Sequence, residues 1–365
     1  MSSAALSTTG INTSAIRALQ AAKVVRQAAN LVKVAKFIGK PGDDTAPIYN
    51  PLSKFEKGGT VDVPLRRVDT AARFTVGHNY EEQGDVIPYS TSALTLALRG
   101  RPFQAPGEYE TQKAIIDARE QLTKDQGDWE AADIDKFIIE SLRVITPQAT
   151  FPVRSARRPG TTTVQYLVEY LGDAADWNSI TASDTLSAQG LSRAKRYFQK
   201  NGIRMARFGG MSGYLVWLPI EATFDLQNDE EFKTKATYTL PRGEDHPFWK
   251  GWGDEFFARY DGMWLFQDLR PAFGGDDTTF LYTDETGDFM KFEGLFLGAQ
   301  AASYYKQKGP IYFERLWNHG QNFEVSVRTY DGIVKNVLNL GAINTTTNIK
   351  DYGLGYILGA ASKLS

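Results

Sequence analysis

Cysteine is absent from this chain of 365 residues, and histidine occurs only three times. Without cysteine the chain has no disulfides, thiolate metal sites or cysteine nucleophile. The sequence also lacks the phosphate loop, the dinucleotide-binding glycine motif, the zinc-protease helix motif and the nucleophile elbow. No apolar run approaches the ~20 residues that cross a bilayer, and no signal peptide opens the chain. We therefore expect neither an enzyme nor a membrane protein, and no cofactor.

The remaining candidates for catalysis or metal binding are isolated. The three histidines fall in unrelated segments, and two acidic pairs follow glycines. Neighbouring carboxylates in such segments are more often turn formers than metal ligands, and a divalent ion needs further oxygen ligands at regular spacing. We interpret these residues as structural: His78, His246, His319, Asp43, Asp44, Asp276 and Asp277.

Acidic residues are missing from Met1 to Gly42, although the whole chain has a net charge of -2. The overall charge argues against a broad basic surface for nucleic acid. Within the acid-free segment, basic residues including Arg17 and Arg26 accompany apolar residues at helical spacing. The pattern predicts an amphipathic arm that packs on a neighbouring subunit. A genome-facing tail, an organelle transit peptide and a helix on its own domain are the alternatives.

Two alternating segments follow, Gly58–Leu65 and the leucines at 94, 96 and 98. Period-two alternation predicts strands. Nearly thirty mostly polar residues separate them, so we expect a long two-stranded loop. An isolated strand pair is marginally stable in water. We therefore predict that residues 58–100 lie across an adjacent subunit.

Charges of opposite sign lie on the two sides of this loop. Such charges can also be merely solvated. Our hypothesis is that the loop and the arm make intersubunit contacts through eight residues: Arg66, Arg67, Arg73, Glu81, Glu82, Asp85, Arg17 and Arg26.

The rest of the chain mixes helical and strand patterns. A helical pattern runs from Glu108 to about Val144, with Gly127 as a potential break, and a basic, proline-rich connector occupies 146–160. A helix capped by Ser183 or Asp184, a strand at 213–219 and a helix at 220–235 follow. The mixture without a regular βαβ repeat predicts an α+β fold.

Several segments of the second half resemble the N4-type family of tailed-phage major capsid proteins. They occur in the family's order within 202–272 and 290–340: Gly213–Pro219, Asp225–Asp229, Phe232, Asp245–Phe248, Gly251, Tyr260–Leu265, Gly294–Ala302 and Val325–Gly332. The 146–160 connector and the tail from Asn344 have no counterpart in the family, so we expect interface elaborations there.

The resemblance implies a Hong Kong 97-like capsid fold and a division of the chain. This division comprises an N-terminal arm (1–50), an extended loop (51–107), the spine helix with the start of the peripheral domain (108–170), the axial domain with connecting segments (171–290), and a return to the peripheral domain with the C-terminal tail (291–365). The resemblance also implies an icosahedral shell of hexamers and pentamers in the virion, assembled in the host cytoplasm around double-stranded DNA. Portal, scaffold or decoration proteins are the implied partners, with non-specific DNA contact and no membrane.

Three other functions remain open from the sequence. A tail, portal or decoration protein shares this composition, and a genome-free encapsulating shell shares the fold. The aromatic segment 248–252 is also compatible with an enzyme or a sugar-binding module, although aromatic residues dominate cores and interfaces alike.

Overall fold

The computed structural model describes most of the chain, and every structural statement below concerns those residues. The described ranges are 23–24, 33–51, 60–66, 89–105, 118–143, 166–208, 211–239, 256–268, 282–286, 289–317, 322–339 and 349–362. Within them the chain mixes helices and strands without a βαβ repeat, which confirms the predicted α+β class.

The helices are α1 (Ala118–Leu142), α2 (Ala188–Lys200), α3 (Ile220–Asn228) and α4 (Glu230–Thr239), with a short 3₁₀ helix at Val34–Phe37. The strands in chain order are β1 (Ile38–Pro41), β2 (Ile48–Asn50), β3 (Thr60–Arg66), β4 (Tyr89–Thr95), β5 (Ala97–Ala105), β6 (Val168–Tyr170), β7 (Ala206–Phe208), β8 (Met211–Pro219), β9 (Phe256–Tyr260), β10 (Met263–Asp268), β11 (Tyr282–Thr286), β12 (Phe289–Leu297), β13 (Ala302–Trp317), β14 (Asn322–Lys335), β15 (Val337–Asn339), β16 (Ile349–Asp351) and β17 (Leu354–Ser362).

A five-stranded sheet in the order β1-β2-β13-β14-β5 supports the long helix α1. Its two longest strands, β13 and β14, pair antiparallel from Ala302–Lys335 to Trp317–Asn322. Helix α1 has 25 residues and contacts β14 and β5. It corresponds to the predicted spine helix, and Gly127 lies inside it without breaking it.

An eight-stranded sheet forms the second layer, with β6-β17-β12-β8-β10-β9 as its main path. Strand β17 pairs along its whole length with β12 and is buried from Leu354 to Ala361. The expectation that the tail from Asn344 is an elaboration at interfaces is therefore wrong for 354–362. Both faces of this strand are covered, so its sequence does not alternate.

One apolar core joins the two sheets. It contains Phe37 of the 3₁₀ helix, Ile48 on β2 of the five-stranded sheet, Ile138 on α1, and Trp217 and Phe266 in the eight-stranded sheet. Phe37 makes edge contacts with both of these rings, whose centroids lie 6.1 and 5.2 Å away. A second cluster lies beneath α2 and α3 on the other face of the eight-stranded sheet.

Two helix boundaries differ from the prediction. Helix α2 begins after Ser187, whose hydroxyl accepts from the Gly190 amide at 3.2 Å, and not at Ser183 or Asp184. The predicted helix at 220–235 is interrupted at Asp229. There the Asp229 carboxylate accepts from the Glu231 amide at 2.9 Å and from the Ala188 amide at 2.7 Å. Asp229 thus caps two helices at once, which satisfies amides that a continuous helix leaves unpaired. No helix among the described residues is long and apolar enough to cross a membrane.

Candidate assembly surfaces

Strands β3 and β4 form the base of the predicted extended loop. They pair antiparallel without a register shift, from Thr60–Thr95 to Arg66–Tyr89. One side of this pair is apolar and fully buried or nearly so. Its residues, Val61, Val63, Leu65 and Leu94 with the adjoining Leu96, pack against Tyr49, Tyr305, Tyr330, Val334 and Tyr352.

The base of the loop therefore has a core within its own subunit. The packing partner that an isolated strand pair needs is, for the apolar side of β3 and β4, the same chain and not an adjacent subunit. The aromatic side chains that cover its apolar side come from segments distant in sequence, which alternation alone does not reveal. The opposite side remains exposed and carries polar or small residues: Thr60, Asp62, Pro64, Thr91, Ala93 and Thr95.

The charged residues predicted for intersubunit contact lie mostly beyond this base. Arg66 is the last residue of β3 and pairs in register with Tyr89. The loop residues Arg67, Arg73, Glu81, Glu82 and Asp85 lie outside the described residues, as do Arg17 and Arg26 of the arm. Their role in assembly therefore stays a prediction.

The described part of the N-terminal arm packs on its own subunit. Val34 and Phe37 belong to the main core, and Val24 is buried with Leu122 and Val325. The Asp135 carboxylate of α1 accepts from the backbone amides of Lys33 and Ala35 at 2.7 and 3.0 Å. The expectation that the arm avoids its own core is thus wrong for these residues.

Beyond the part that β3 and β4 cover, one face of the five-stranded sheet carries exposed apolar residues that the sequence pattern did not indicate. It lies opposite α1 and presents Leu98 on β5, 61% exposed, and Phe313 on β13, 43% exposed. The exposed Arg328 of β14 lies over the Phe313 ring at 4.8 Å from its centroid. Exposed large apolar residues flanked by polar ones are typical of interaction surfaces. This face is therefore a candidate assembly surface.

Leu98 was predicted to continue one strand with Leu94 and Leu96. The chain instead leaves the strand pair at Leu96 and enters the five-stranded sheet, where Leu98 pairs with Tyr330. Leu94 and Leu96 are buried on the apolar side of the β3–β4 pair, whereas Leu98 is exposed. The three leucines do alternate, but the pattern runs from the two-stranded β3–β4 sheet into the five-stranded sheet.

Arg99 ties three elements together behind this face. Its Nε donates to Asp331 Oδ1 of β14 at 2.7 Å, and its two terminal nitrogens donate to Asp331 and to Asp133 of α1. The Tyr304 hydroxyl of β13 donates to Asp331 Oδ2 at 2.7 Å. This arrangement fixes the position of helix α1 relative to the edge strand β5 and to β13 and β14 of the sheet. A guanidinium group does so because it binds carboxylates in a defined planar geometry.

Burial and charge oppose each other in this group. Burial alone lowers the pKa of Arg99, but Asp331 and Asp133 outweigh it and raise that pKa. Burial, together with Asp331, also raises the pKa of the Tyr304 phenol. Arg99 therefore stays charged and Tyr304 stays a hydrogen-bond donor throughout the physiological pH range.

A second charged junction lies where the two sheets meet. Lys335 Nζ is 3.0 Å from Asp351 Oδ1, donates to the Tyr356 hydroxyl at 3.1 Å and lies 4.3 Å from the centre of the Tyr166 ring. The Tyr356 hydroxyl in turn donates to the Leu142 carbonyl at the end of α1, at 2.8 Å. This junction joins the last turn of α1 to both sheets.

Replacing Asp351 with alanine is expected to cost about 3 kcal/mol of unfolding free energy, because it breaks a buried pair. Asp351 is 3% exposed and also accepts from the Leu167 amide at 3.2 Å. Burial raises the pKa of its carboxyl, although Lys335 opposes that effect. Urea unfolding of the unassembled chain measures the loss. Asp351→Asn keeps an acceptor for the amide and should lose less; equal losses in both variants would contradict a role for the hydrogen bond.

Few of the residues considered for catalysis or metal binding fall in the described ranges. Asp43 Oδ1 accepts from the Thr45 amide at 3.0 Å and from the Thr45 hydroxyl at 2.7 Å, so Asp43 forms the predicted polar turn. The described residues contain no group of three or more His, Asp or Glu side chains arranged to hold a metal ion. The three histidines, Asp276, Asp277, the aromatic segment 248–252 and the 146–160 connector lie outside these ranges.

Comparison with known proteins identifies the family. The profile of the family described as phage capsid protein matches residues 9–363. No curated protein matches the chain. Among solved structures, the chain is similar to the capsid of Ralstonia phage GP4, with 17% identity, a TM-score of 0.69, and coverage of 90% of this chain and 91% of that one.

Two further capsids have a similar fold. The capsid asymmetric unit of cyanophage Pam1 has 15% identity and a TM-score of 0.66, covering 90% of this chain and 92% of that one. The head structure of Helicobacter pylori bacteriophage KHP40 has 12% identity and a TM-score of 0.65, covering 91% of each chain.

Since the profile spans nearly the whole sequence, the chain belongs to the phage capsid protein family. Its fold is the Hong Kong 97-like capsid fold, as the sequence resemblance implied. It is a structural protein of the virion capsid that self-assembles into a shell, and membership of this family implies a non-enzymatic role. The surfaces described above are therefore parts of a shell subunit.

Proposed function

We propose that this chain is the major capsid subunit of an N4-type tailed phage, and that its hexamers and pentamers form an icosahedral shell around double-stranded DNA. The observation that carries the proposal is the family match over residues 9–363. The N4-type motifs, among them Gly213–Pro219 in the buried strand β8, support the narrower assignment. Assembly takes place in the host cytoplasm, with portal, scaffold or decoration proteins as partners. DNA is contacted without sequence specificity, in keeping with a net charge of -2.

The proposed assignment of the peripheral and axial domains follows the two sheets. The five-stranded sheet with α1 forms the peripheral domain and spine, and the eight-stranded sheet with α2, α3 and α4 forms most of the axial domain. Strands β3 and β4 carry the extended loop. Because β12 and β17 both lie in the eight-stranded sheet, the axial domain also takes residues 289–297 and 354–362 from the last part of the chain.

Expression of the chain followed by electron microscopy of the sedimenting material tests this function. Closed icosahedral shells support it, whereas tubes or rings favour a tail or portal protein. The nucleic acid content of particles purified from an infected host separates a phage capsid from a genome-free shell of the same fold. Particles without DNA would contradict the proposal.

Reversing Arg66 and Arg67 to glutamate is expected to weaken assembly in a salt-dependent manner. Charges at the rim of an interface mainly affect association rate and register, and salt screens them. The unassembled variant should stay folded, since the buried side of β3 is unchanged. Light scattering during assembly at two salt concentrations checks this, and Lys233→Glu on α4 serves as an exposed control. Unchanged assembly rates at low salt would refute intersubunit contact by these arginines.

A further inference from the structure

The face of α1 that packs on the five-stranded sheet changes character along the helix. Its C-terminal half buries apolar side chains, including Ile134, Ile138 and Leu142. Its N-terminal half buries the apolar Leu122 but also polar side chains, of which Gln126 is fully buried and Glu130 is 4% exposed. Polar contacts therefore contribute to the docking of the N-terminal half on the sheet.

These polar contacts are incomplete among the residues that the structure describes. There, neither amide atom of Gln126 has a hydrogen-bond partner, and Glu130 Oε2 has none. The other carboxylate oxygen, Glu130 Oε1, lies 3.7 Å from Lys306 Nζ, which is an ion pair but beyond hydrogen-bond length. A buried ionised carboxylate with so little compensation is costly, because desolvation is only partly repaid.

The charges around Glu130 do not balance either. Among the described residues, Arg99 of β5 and Lys306 of β13 are the cations that act on it, while Asp133 of α1 and Asp331 of β14 are the other carboxylates. The uncharged phenol of Tyr304 on β13 completes the group, and Lys136 and Glu140 lie further along α1, where each is 55% exposed. With all acids ionised, three negative charges meet two positive ones. Arg99 is already committed to Asp331 and Asp133.

We propose that Glu130 acts as a proton-controlled clamp between the N-terminal half of α1 and the five-stranded sheet. When Glu130 binds a proton, the excess negative charge disappears together with the cost of a poorly compensated buried carboxylate, and the helix docks more tightly. When Glu130 ionises, this half of the helix is held more weakly than the apolar C-terminal half.

The direction of the pH dependence follows from burial. Burial raises the pKa of Glu130 from its ordinary value, and burial likewise raises the pKa of Asp133. A carboxyl whose pKa is raised in the folded state stabilises that state fully below the unfolded pKa, and this contribution is lost as pH rises through the folded pKa. Docking of the N-terminal half of α1 should therefore strengthen on mild acidification and weaken toward alkaline pH.

Glu130→Gln in the assembled particle tests the clamp, because glutamine keeps the shape and is always neutral. Amide hydrogen exchange of α1 is compared between variant and wild type at the same pH. At pH 8 we expect severalfold slower exchange over residues 118–130 in the variant, because the neutral glutamine removes the cost of burying an ionised carboxylate. The ratio should fall toward one at pH 5, and residues 134–142 should change little.

Glu140→Gln, on the exposed side of the same helix, is the matched control and should leave the exchange ratio near one at both pH values. If Glu130→Gln exchanges faster than wild type at pH 8, Glu130 acts as the ion-pair partner of Lys306 and the clamp is overturned. Lys306→Met provides an independent measurement should Glu130→Gln fail to assemble. This variant removes the positive charge beside the Glu130 carboxylate, so amide exchange over 118–130 should accelerate more at pH 8 than at pH 5. Equal acceleration at both pH values would also overturn the proposal.

Discussion

Ending the chain after Gly353 should leave no soluble, folded protein. The truncation removes β17, which lies between β6 and β12 in the eight-stranded sheet. Its large apolar side chains are fully buried: Leu354, Tyr356, Ile357 and Leu358. At about 1.5–3 kcal/mol for each buried side chain, the loss of these four is comparable with the ~5–15 kcal/mol that stabilises a typical protein.

Solubility and circular dichroism of the truncated chain measure this effect. Leu358→Ala is the graded control, and it should remain folded while losing about 2–5 kcal/mol of unfolding free energy. Shells assembled from the truncated chain would show that β17 is dispensable. The same result would return the C-terminal segment to the role of an interface elaboration.

The position of β17 shows what the sequence pattern conceals. The run from Leu354 to Ala361 contains Gly355 and Gly359, which suggest an irregular segment when only the sequence is known. In the structure a Cβ atom at Gly355 would lie 2.6 Å from the Phe198 ring of α2, and one at Gly359 would lie 2.5 Å from the Leu171 side chain. These glycines permit close packing on a central strand, a role that depends on contacts distant in sequence.

Alternation predicted the existence of β3 and β4 but not the surface that covers them. Val61, Val63 and Leu65 do share one face, as period two requires. The residues that cover this face include Tyr49 and Tyr330, which no local pattern connects to the loop. The sequence therefore predicted a strand pair in need of a partner, and the partner of its base is the same chain.

The two charged junctions could not be predicted from the sequence for a similar reason. Arg99 and Asp331 are separated by 232 positions, and Lys335 and Asp351 come together only because β14 and β16 meet at the boundary of the two sheets. None of these residues belongs to a recognisable motif. The family resemblance correctly gave the fold, but the contacts that hold the spine helix to the sheets depend on tertiary packing.

Replacing residues 67–88 with Asn-Gly is expected to abolish shell assembly while leaving a folded subunit. Arg66 and Tyr89 are directly opposed in the antiparallel register, so a two-residue turn can join them. The buried side of β3 and β4 stays complete in this variant, and Val337 still donates to Ser92 Oγ at 3.3 Å. Loss of the segment between them should therefore affect contacts with other subunits and not the stability of the subunit itself.

Thermal melting and sedimentation together decide the outcome. We expect a melting temperature within a few degrees of the unassembled wild-type chain, since no described core residue is removed, and no particles in the sedimenting fraction. Val63→Asp is the contrasting variant, because a charge in the buried face of β3 should destabilise the subunit by several kcal/mol. Normal shells from the shortened chain would contradict the assignment of the extended loop to intersubunit contact. A subunit that fails to fold would show instead that residues 67–88 stabilise their own chain.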